Sequence, residues 1–310
     1  MSQTDPSLDG LWPDGVTFRM VQAGGIRLHV AEAGPVDGRP LILLHGFPES
    51  ARGWRRQVGP LTRAGFRVVM PDQRGYGASE RPEGIAAYHL DRLAGDVISL
   101  ADACGFRRFD LAGHDWGGLV AWWAASFHPD RVARLAILNA PHPGVVRDYL
   151  RHHPGQWLRS AYVGVFQIPA LPERWMLARD AKVLRRAMVS TSRPGTFSGP
   201  EIDAYVREWR RPGALTAMLG WYRALARLPR RDAPRVRMPT LILWGRRDHA
   251  LQAGLAEESL RLCDQGRVRW FPVATHWIQH EEAAAVSNAL AGFFAPAGTG
   301  PGSPAAETSP

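Results

Sequence analysis

Short runs of apolar residues alternate with segments of helical periodicity along most of this 310-residue chain. Six runs have the pattern of buried strands: 41–47, 67–72, 107–113, 134–140, 240–245 and 268–274. Between them, 90–103, 118–127 and 256–262 have the spacing of amphipathic helices. Strands that alternate with helices in this way form a mainly parallel sheet that is covered by helices. The pattern therefore predicts an α/β fold with a mostly parallel sheet flanked by helices.

The alternation stops after Pro141, where the chain becomes rich in Arg, Trp and Leu with helical spacing and several prolines. We predict a helical cap at 141–235, inserted between the fourth and fifth of the strands above. Ligands of open α/β sheets bind beyond the carboxyl ends of the strands, so such a cap would cover the site. The predicted core is 25–140 and 236–295, preceded by a tail and lead-in at 1–24 and followed by a disordered tail at 296–310.

The composition is that of an ordinary globular protein, with 45% apolar and 22% charged residues. Two cysteines, Cys104 and Cys263, are too few for a disulfide framework and have no metal-ligand spacing. The first residues do not form a signal peptide, and the apolar runs are too short to cross a bilayer. We expect a cytoplasmic protein without membrane insertion.

The net charge of +9 is confined to one segment. Residues 141–235 contain 17 Lys and Arg against 7 Asp and Glu, a net charge of +10, which leaves −1 for the remainder. We interpret this excess as a solvated basic face. Attraction of an anionic substrate or a membrane surface is the alternative, and we expect no nucleic-acid partner because the charge does not extend beyond the cap.

The segment 111–118, Leu-Ala-Gly-His-Asp-Trp-Gly-Gly, is a strand that runs into a helix through Gly-x-nucleophile-x-Gly. Such a sharp turn needs small residues on both sides, because its central residue has a strained backbone and projects above the sheet. Here the central residue is Asp115. The following helix directs free N–H groups and a positive dipole end at it, which favours negative charge there. A tight turn with an Asp helix cap is the structural alternative.

A second segment, His45-Gly46-Phe47-Pro48-Glu49-Ser50, ends an earlier strand. Its glycine and proline leave a backbone N–H, that of Phe47, free to face Asp115. Together with the N–H of Trp116 it would form a two-donor oxyanion hole, in which each donor is worth about 3–4 kcal/mol of transition-state stabilisation. The bland alternative is a turn that merely ends the strand.

A general base and its orienting acid are predicted at two later strand ends. His276 follows the last apolar strand, and Asp248 follows the strand 240–245. The resulting chain order of nucleophile, acid and base is the order that strand-to-helix nucleophile turns of this kind use. His280 and His249 are rival bases, but one lies at a helix start and the other beyond the strand.

Together, HGFPES (45–50), DQRGYGAS (72–79), GHDWGG (113–118) and THW (275–277) resemble the epoxide hydrolase branch of the α/β-hydrolase superfamily, over about 25–294. This resemblance implies an α/β-hydrolase fold and two cap tyrosines that hydrogen-bond an epoxide oxygen. Tyr222, in Gly-Trp-Tyr-Arg, matches one of them, although Gly220 stands where relatives often have asparagine. Tyr162 matches the other through the Phe-Gln-x-Pro that follows it.

The chemistry implied is epoxide opening to a vicinal diol. The carboxylate of Asp115 would attack an sp3 carbon and form an ester, while Tyr162 and Tyr222 supply the proton that the leaving oxygen needs. His276, oriented by Asp248, would then activate the water that hydrolyses the ester. The reaction requires no metal or organic cofactor. The pocket aromatics Phe166, Trp221 and Trp277, beside Trp116, suggest a small apolar or aromatic epoxide, and exposed cap surface could support a homodimer.

Two alternatives differ in class from an epoxide hydrolase. A haloalkane or haloacid dehalogenase would use the same aspartate, but Phe47 occupies the position of a halide-binding Asn, and Trp116 and Leu119 replace the arginines that grip a haloacid carboxylate. Asn139 also stands where those haloacid enzymes place an acid. A non-catalytic binding or receptor protein of this fold is expected to lack a catalytic residue, and none is missing.

Overall fold

The computed structural model describes residues 10–228 and 231–295, and within them eight strands form one sheet. The strands are β1 (Thr17–Ala23), β2 (Ile26–Ala33), β3 (Arg39–Leu44), β4 (Phe66–Pro71), β5 (Phe109–His114), β6 (Val132–Leu138), β7 (Thr240–Gly245) and β8 (Gly266–Phe271). Their order is β1-β2-β4-β3-β5-β6-β7-β8. β2 is antiparallel to β1 and β4, and all other pairs are parallel. The predicted mostly parallel sheet is confirmed.

Helices cover both faces of the sheet, as an α/β fold requires. The core helices are α1 (Arg55–Arg63), α2 (Leu90–Ala103), α3 (Trp116–Phe127), α10 (Gly254–Leu260), α11 (Ile278–Glu281) and α12 (Ala283–Phe294). On one face Ile42 packs in a cluster with residues of α2 and α3, and on the other Leu43 packs with residues of α1 and α12. Because successive residues of β3 are buried on opposite faces, the strand is a continuous apolar run.

The sheet begins earlier than the predicted lead-in at 1–24 implied, because β1 pairs with β2 from Thr17 opposite Glu32 to Ala23 opposite Ile26. β1 is an edge strand, and only Val21 and Ala23 of its residues are buried. It therefore lacks the apolar run of a buried strand and was not predicted. β2 was not predicted as a strand either, whereas β3 to β8 correspond to the six predicted runs. Residues 1–9 and the tail predicted at 296–310 lie outside the described residues.

The predicted cap segment lies between β6 and β7, and its described part contains helices and no strand of the sheet. They are α4 (Pro143–His152), α5 (Pro154–Arg159), α6 (Tyr162–Phe166), α7 (Leu171–Thr191), α8 (Gly199–Trp209) and α9 (Ala214–Arg227). Non-helical backbone at 178–181 interrupts α7. In the described residues, no helix is long and apolar enough to cross a membrane.

Candidate active site

Asp115 lies on the turn between β5 and α3 with φ 50° and ψ −120°. A non-glycine residue rarely adopts this left-handed backbone, which occurs mostly where a function requires it. The turn is tight enough that a Cβ on Gly117 would lie 2.3 Å from the carbonyl oxygen of Leu44. The side chain of Asp115 remains 20% exposed, and α3 begins directly beside it. The carboxylate is thus accessible and faces the positive end of a helix.

The two predicted oxyanion donors lie beside this carboxylate. The backbone N–H of Phe47 donates to Oδ1 of Asp115 at 2.8 Å. This approach requires glycine before Phe47, because a Cβ on Gly46 would lie 2.6 Å from the same oxygen. Trp116 is the first residue of α3, where the helix itself offers its N–H no acceptor. One donor contacts the carboxylate in this structure, and the other is positioned at the same turn.

His276 connects the two predicted carboxylates. Its Nε2 lies 3.5 Å from Oδ2 of Asp115, and its Nδ1 lies 2.7 Å from Oδ2 of Asp248. Burial of the imidazole opposes its protonation, but Asp248 and Asp115 outweigh this effect and hold the pKa of His276 well above its usual value. Burial likewise opposes ionisation of Asp248, yet His276 and Asn139 lower the pKa of that carboxyl. The three side chains are thus connected in the order predicted for a nucleophile, a base and an orienting acid.

Asn139 is a partner of Asp248 that the sequence interpretation missed. Its Nδ2 donates to Oδ2 of Asp248 at 2.7 Å, and its Oδ1 accepts from the N–H of Gly245 at 3.0 Å. The N–H groups of Ala250 and Leu251 donate to the other oxygen of Asp248 at 2.7 and 2.9 Å. The available signal in the sequence was the position of Asn139, a polar residue directly after β6 and beside the end of β7.

The two predicted cap tyrosines meet above Asp115. Tyr222 on α9 is 5% exposed, whereas Tyr162 on α6 is 42% exposed although its hydroxyl end is buried. Their ring centroids lie 6.1 Å apart in a T-shaped contact, and the charge of Asp115 acts on both hydroxyl groups. Burial and the nearby charge of Asp115 raise the pKa of Tyr162, and burial, Tyr162 and Asp115 raise that of Tyr222. Both phenols therefore stay protonated and can donate a proton.

Aromatic rings surround Tyr222. The ring centroids of Trp116, Phe166 and Phe47 lie 4.8, 5.0 and 5.3 Å from that of Tyr222. Phe166, predicted as a pocket residue, also contacts Tyr162 at 5.3 Å. On the opposite side of α9, the ring of Tyr88 fills the space of a side chain at position 220, since a Cβ there would lie 2.7 Å from it. This packing accounts for glycine instead of asparagine at Gly220.

Comparisons with known proteins agree with this geometry. A family model for the alpha/beta hydrolase fold matches residues 39–283. The AB hydrolase superfamily protein YfhM of Bacillus subtilis is 42% identical over 278 residues, 89% of this chain and 97% of that protein. Human epoxide hydrolase 4 is 35% identical over 281 residues, 88% of this chain and 77% of that protein. The chain belongs to the α/β-hydrolase superfamily, in its epoxide hydrolase branch.

Solved structures extend this assignment to the fold. The epoxide hydrolase of Bacillus megaterium, crystallised with an inhibitor, has a TM-score of 0.82 at 27% identity and matches 89% of this chain and 99% of its own. A structure described under novel epoxide hydrolases from metagenomes of hot environments has a TM-score of 0.81 at 35% identity, with 90% and 99% matched. The α/β-hydrolase fold is thereby confirmed for this member of the branch.

The predicted pocket residues Trp221 and Trp277 each pack beside a site residue of this α/β hydrolase. Trp221 lies with its ring 5.6 Å from that of Trp116, and its indole N–H donates to the carbonyl of Arg74 at 3.1 Å. Trp277 lies 5.4 Å from His276, and its N–H donates to Oγ1 of Thr191 at 2.9 Å. Both side chains are nearly fully buried. The structure thus places them behind Trp116 and His276, where they support those side chains.

A buried polar cluster around Glu49 lies behind the hydrolase site and was not predicted. Its carboxylate accepts hydrogen bonds from Tyr205 at 2.8 Å, from Gln279 at 2.9 Å and from His280 at 2.7 Å. Burial opposes its ionisation, but His280 and His114 outweigh this and lower the pKa of Glu49 well below its usual value. His280 is therefore engaged away from Asp115, and the other rival base, His249, is exposed.

Cap helices contact both loops that carry site groups, which the sequence interpretation also missed. From α8, the indole N–H of Trp209 donates to the carbonyl of Pro48 at 2.6 Å, next to the oxyanion donor. From α5, Arg159 donates to the carbonyl of Asp248 at 2.8 Å and Gln156 to that of Ala250 at 2.8 Å. These long polar residues carry no motif, so only the packing of the cap reveals their partners.

Proposed function

We propose that this protein hydrolyses an epoxide to a vicinal diol through a covalent ester on Asp115. The observation that carries the proposal is the pair of phenols, Tyr162 and Tyr222, whose rings lie 6.1 Å apart and whose hydroxyl groups are both near the Asp115 carboxylate. An epoxide oxygen stays attached to the substrate as its ring opens, and it must gain a proton at that moment. Two aimed, protonated phenols opposite a carboxylate suit this reaction.

In the first step, Oδ2 of Asp115 attacks an epoxide carbon. The carbon–oxygen bond of the ring breaks, an ester bond to Asp115 forms, and the released oxygen takes a proton from the tyrosine pair. The other oxygen, Oδ1, remains at the N–H of Phe47. The aromatic rings of Phe47, Phe166 and Trp116 around Tyr222 suit a small apolar or aromatic epoxide, because burial of its apolar surface favours binding.

In the second step, His276 removes a proton from a water molecule that attacks the ester carbon. Formation of the ester has removed the negative charge of Asp115, so one of the two charges that stabilise the imidazolium is lost and the pKa of His276 falls. The imidazolium of His276 can therefore lose its proton after the ester has formed, and the neutral imidazole can act as a base. The N–H groups of Phe47 and Trp116 stabilise the oxyanion that forms. The departing diol oxygen takes the remaining proton of the attacking water, so Asp115 is again a carboxylate and His276 again an imidazolium. The proton that His276 lost when the ester formed restores the phenol.

The decisive experiment offers styrene oxide and a bromoalkane side by side. We expect diol from styrene oxide and no bromide release, and an intact-protein mass increase equal to one substrate in His276→Gln. Asp115→Asn should abolish turnover, whereas Asp110→Asn, at the other end of β5, should not. Bromide release without diol would reject epoxide hydrolysis in favour of dehalogenation. Substrate binding without turnover in the unmodified protein would favour a binding protein.

A further inference from the structure

One edge of the cap exposes large apolar side chains, and no element within residues 10–228 and 231–295 covers them. We call it the cap edge; its residues and their exposed fractions are Trp157 63%, Leu158 72%, Val165 43%, Ile168 44%, Leu171 56% and Trp175 55%. Single exposed apolar residues are normal on a protein surface, but a cluster that includes two tryptophans marks an interaction surface. We propose that the cap edge docks on an anionic lipid surface and admits lipophilic epoxides from it.

The cap edge follows helical periodicity, which brings its residues to one side. The chain turns helically from α5 into α6, since the N–H of Ser160 bonds to the carbonyl of Gln156 and that of Val163 to Ser160. Leu158 and Val165 are therefore two turns apart on one face, with Tyr162 between them. Leu171 and Trp175 are likewise one turn apart at the start of α7. The apolar side chains therefore form one stripe along α5 and α6, which continues in the chain to Leu171 and Trp175 at the start of α7.

Cations follow this stripe along α7, and the first of them is next to Trp175 in the chain. Arg174, Arg179, Lys182 and Arg186 are exposed, and none of them has an acidic partner within the described part of the chain. Arg185 of the same helix differs, because Asp180 and Asp203 neutralise it. Apolar and aromatic side chains bordered by unpaired cations are typical of surfaces that lie in the interface of an anionic membrane. The charge of the cap edge is complementary to such a surface.

The cap edge borders the mouth of the proposed site. Tyr162 lies between Leu158 and Val165 of the cap edge, and its ring contacts that of Tyr222 in the site. α5, which carries Trp157 and Leu158, is tied to the Asp248 loop by Arg159. A docked cap edge would therefore hold the site entrance against the lipid. This second part of the inference, on substrates, rests on the proposed function, whereas the docking itself does not.

A second copy of the chain is a poorer occupant of this surface. Two copies related by a twofold axis would bring the same patch of each together. Such a contact would place the unpaired cations of one copy near those of the other, and like charges in an interface oppose association. Anionic lipid headgroups instead neutralise them. The lipid surface is therefore the occupant that both the apolar stripe and the charge favour.

The test is co-sedimentation of the full-length protein with vesicles of equimolar phosphatidylcholine and phosphatidylserine, compared with vesicles of phosphatidylcholine alone. We expect binding to the mixed vesicles that weakens with added salt, and much weaker binding to the neutral ones. Lys182→Gln with Arg186→Gln should weaken binding about 25-fold, from roughly fivefold for each cation removed. Trp175→Ser should weaken it about tenfold through lost apolar burial.

Matched controls lie outside the cap edge. Arg237→Gln removes one exposed cation, and Val36→Ser removes the apolar side chain of a residue that is 83% exposed; both should leave vesicle binding unchanged. Turnover of dissolved styrene oxide should be equal in all these variants. Turnover of a long-chain epoxide presented in mixed vesicles should fall in the cap-edge variants alone, in proportion to their loss of binding.

Several outcomes would overturn the inference. Equal binding to neutral and mixed vesicles, or equal loss in the controls, would remove the role of the cap edge. A concentration-dependent dimer that Trp175→Ser dissociates, without vesicle binding, would show that a second copy covers it. If the protein turns over no epoxide but still binds vesicles through these residues, the proposed function fails while the docking stands. Epoxide turnover without vesicle binding would refute the docking and leave the proposed function intact.

Discussion

The two walls of the site are built in different ways. The core wall, formed by Asp115, His276 and Asp248, consists of side chains at strand ends, and multiple hydrogen bonds from neighbouring backbone and from Asn139 hold them. The cap wall, formed by Tyr162, Tyr222 and Phe166, consists of ring contacts between two helices. The core wall is therefore rigid in position, whereas the cap wall depends on how α6 and α9 pack.

This difference separates two tasks that the proposed reaction requires. Ester formation and hydrolysis need a nucleophile, a base and an oxyanion hole at fixed distances, because a small displacement of reacting atoms costs a large factor in rate. Substrate selection and protonation of the leaving oxygen need aromatic surface and phenols that suit a particular epoxide. We therefore expect substitutions in the core wall to abolish chemistry and those in the cap wall to reduce it.

The largest expected effect comes from the core wall. Asp248→Asn removes the charge that orients His276 and stabilises its imidazolium, which in a comparable triad of another fold costs about 10⁴-fold in kcat. We expect a loss of that order in ester hydrolysis, while the alkylation of Asp115 continues. The measurement is steady-state diol formation together with intact-protein mass, which should show the accumulated ester.

The control for this variant is Asp264→Asn, which removes an exposed carboxylate that pairs with Arg235. It should leave both kcat and the mass spectrum unchanged. If Asp248→Asn lost diol formation without accumulating ester, then alkylation itself would depend on Asp248, and the division of tasks between the two walls would be incorrect.

A smaller effect is expected from the cap wall. Tyr222→Phe should slow ester formation about 100-fold, at the lower end of the range for loss of a general acid, because Tyr162 remains. Tyr162→Phe should slow it about tenfold, roughly the effect of one lost hydrogen bond, because the more deeply buried Tyr222 remains as the donor. Single-turnover measurement of alkylation in a His276→Gln background isolates this step.

Tyr149→Phe is the matched control, because Tyr149 is buried on α4 and stacks on His153, away from Asp115. Its alkylation rate should equal that of the unsubstituted protein. Equal effects of Tyr222→Phe and Tyr162→Phe would show that exposure does not distinguish the two phenols, and no effect of either would remove the observation on which epoxide chemistry rests.

The same contrast explains what could be predicted from the sequence. Strand ends of a parallel sheet meet at one edge, so short motifs around Phe47, Asp115 and His276 predict the composition of the core wall without knowledge of the tertiary structure. The mostly parallel sheet follows from its apolar runs, although the exposed edge strand β1 does not. Asn139 was interpreted only as a missing acid, and its hydrogen bond to Asp248 depends on the pairing of β6 with β7.

The cap is harder to predict because its contacts join residues that are distant in sequence and belong to no motif. Trp209 bonds to Pro48, 161 residues away, and Arg159 to Asp248, 89 residues away. Helical periodicity shows which face of α8 is buried but not what it contacts. Tyr162 and Tyr222 came from family resemblance alone, and their different exposure became evident only from the packing of α6 and α9.

A third prediction concerns the link between the walls. Trp209→Phe removes the hydrogen bond from α8 to the carbonyl of Pro48, beside the oxyanion donor Phe47. We expect hydrolysis of the ester to slow about fivefold, because such a bond contributes about 1 kcal/mol. Alkylation should be unaffected. Rapid-quench measurement in the pre-steady state should therefore show more accumulated ester in this variant.

The control for Trp209→Phe is Trp123→Phe, which removes a buried indole whose N–H donates to Asp91 at 2.8 Å. Both variants should lose similar stability, measured as the free energy of unfolding in urea. Only Trp209→Phe should change the ratio of the two half-reactions. If both variants slowed alkylation and ester hydrolysis by equal factors, the contact of Trp209 with Pro48 would not position the loop that contains Phe47.

The smallest expected effect is a shift in the titration of His276. Burial disfavours the imidazolium, while Asp248 and Asp115 together raise its pKa well above the usual value. Asp115→Asn removes one of these charges and should lower the pKa of His276, as we propose for the ester. The measurement is NMR titration of the imidazole signals, with His276→Gln to assign the resonance and Asp110→Asn as a variant in which the pKa should stay unchanged.

The same shift has a consequence for stability. A histidine with a raised folded-state pKa contributes stability that is fully present below its unfolded pKa and is lost as the pH rises through its folded pKa. In Asp115→Asn this loss should therefore occur at lower pH than in the unsubstituted protein, which unfolding in urea at successive pH values would show. An unchanged pKa of His276 would mean that Asp248 alone raises it. Ester formation could then not lower the pKa of His276, and another group would have to make the imidazole available as a base.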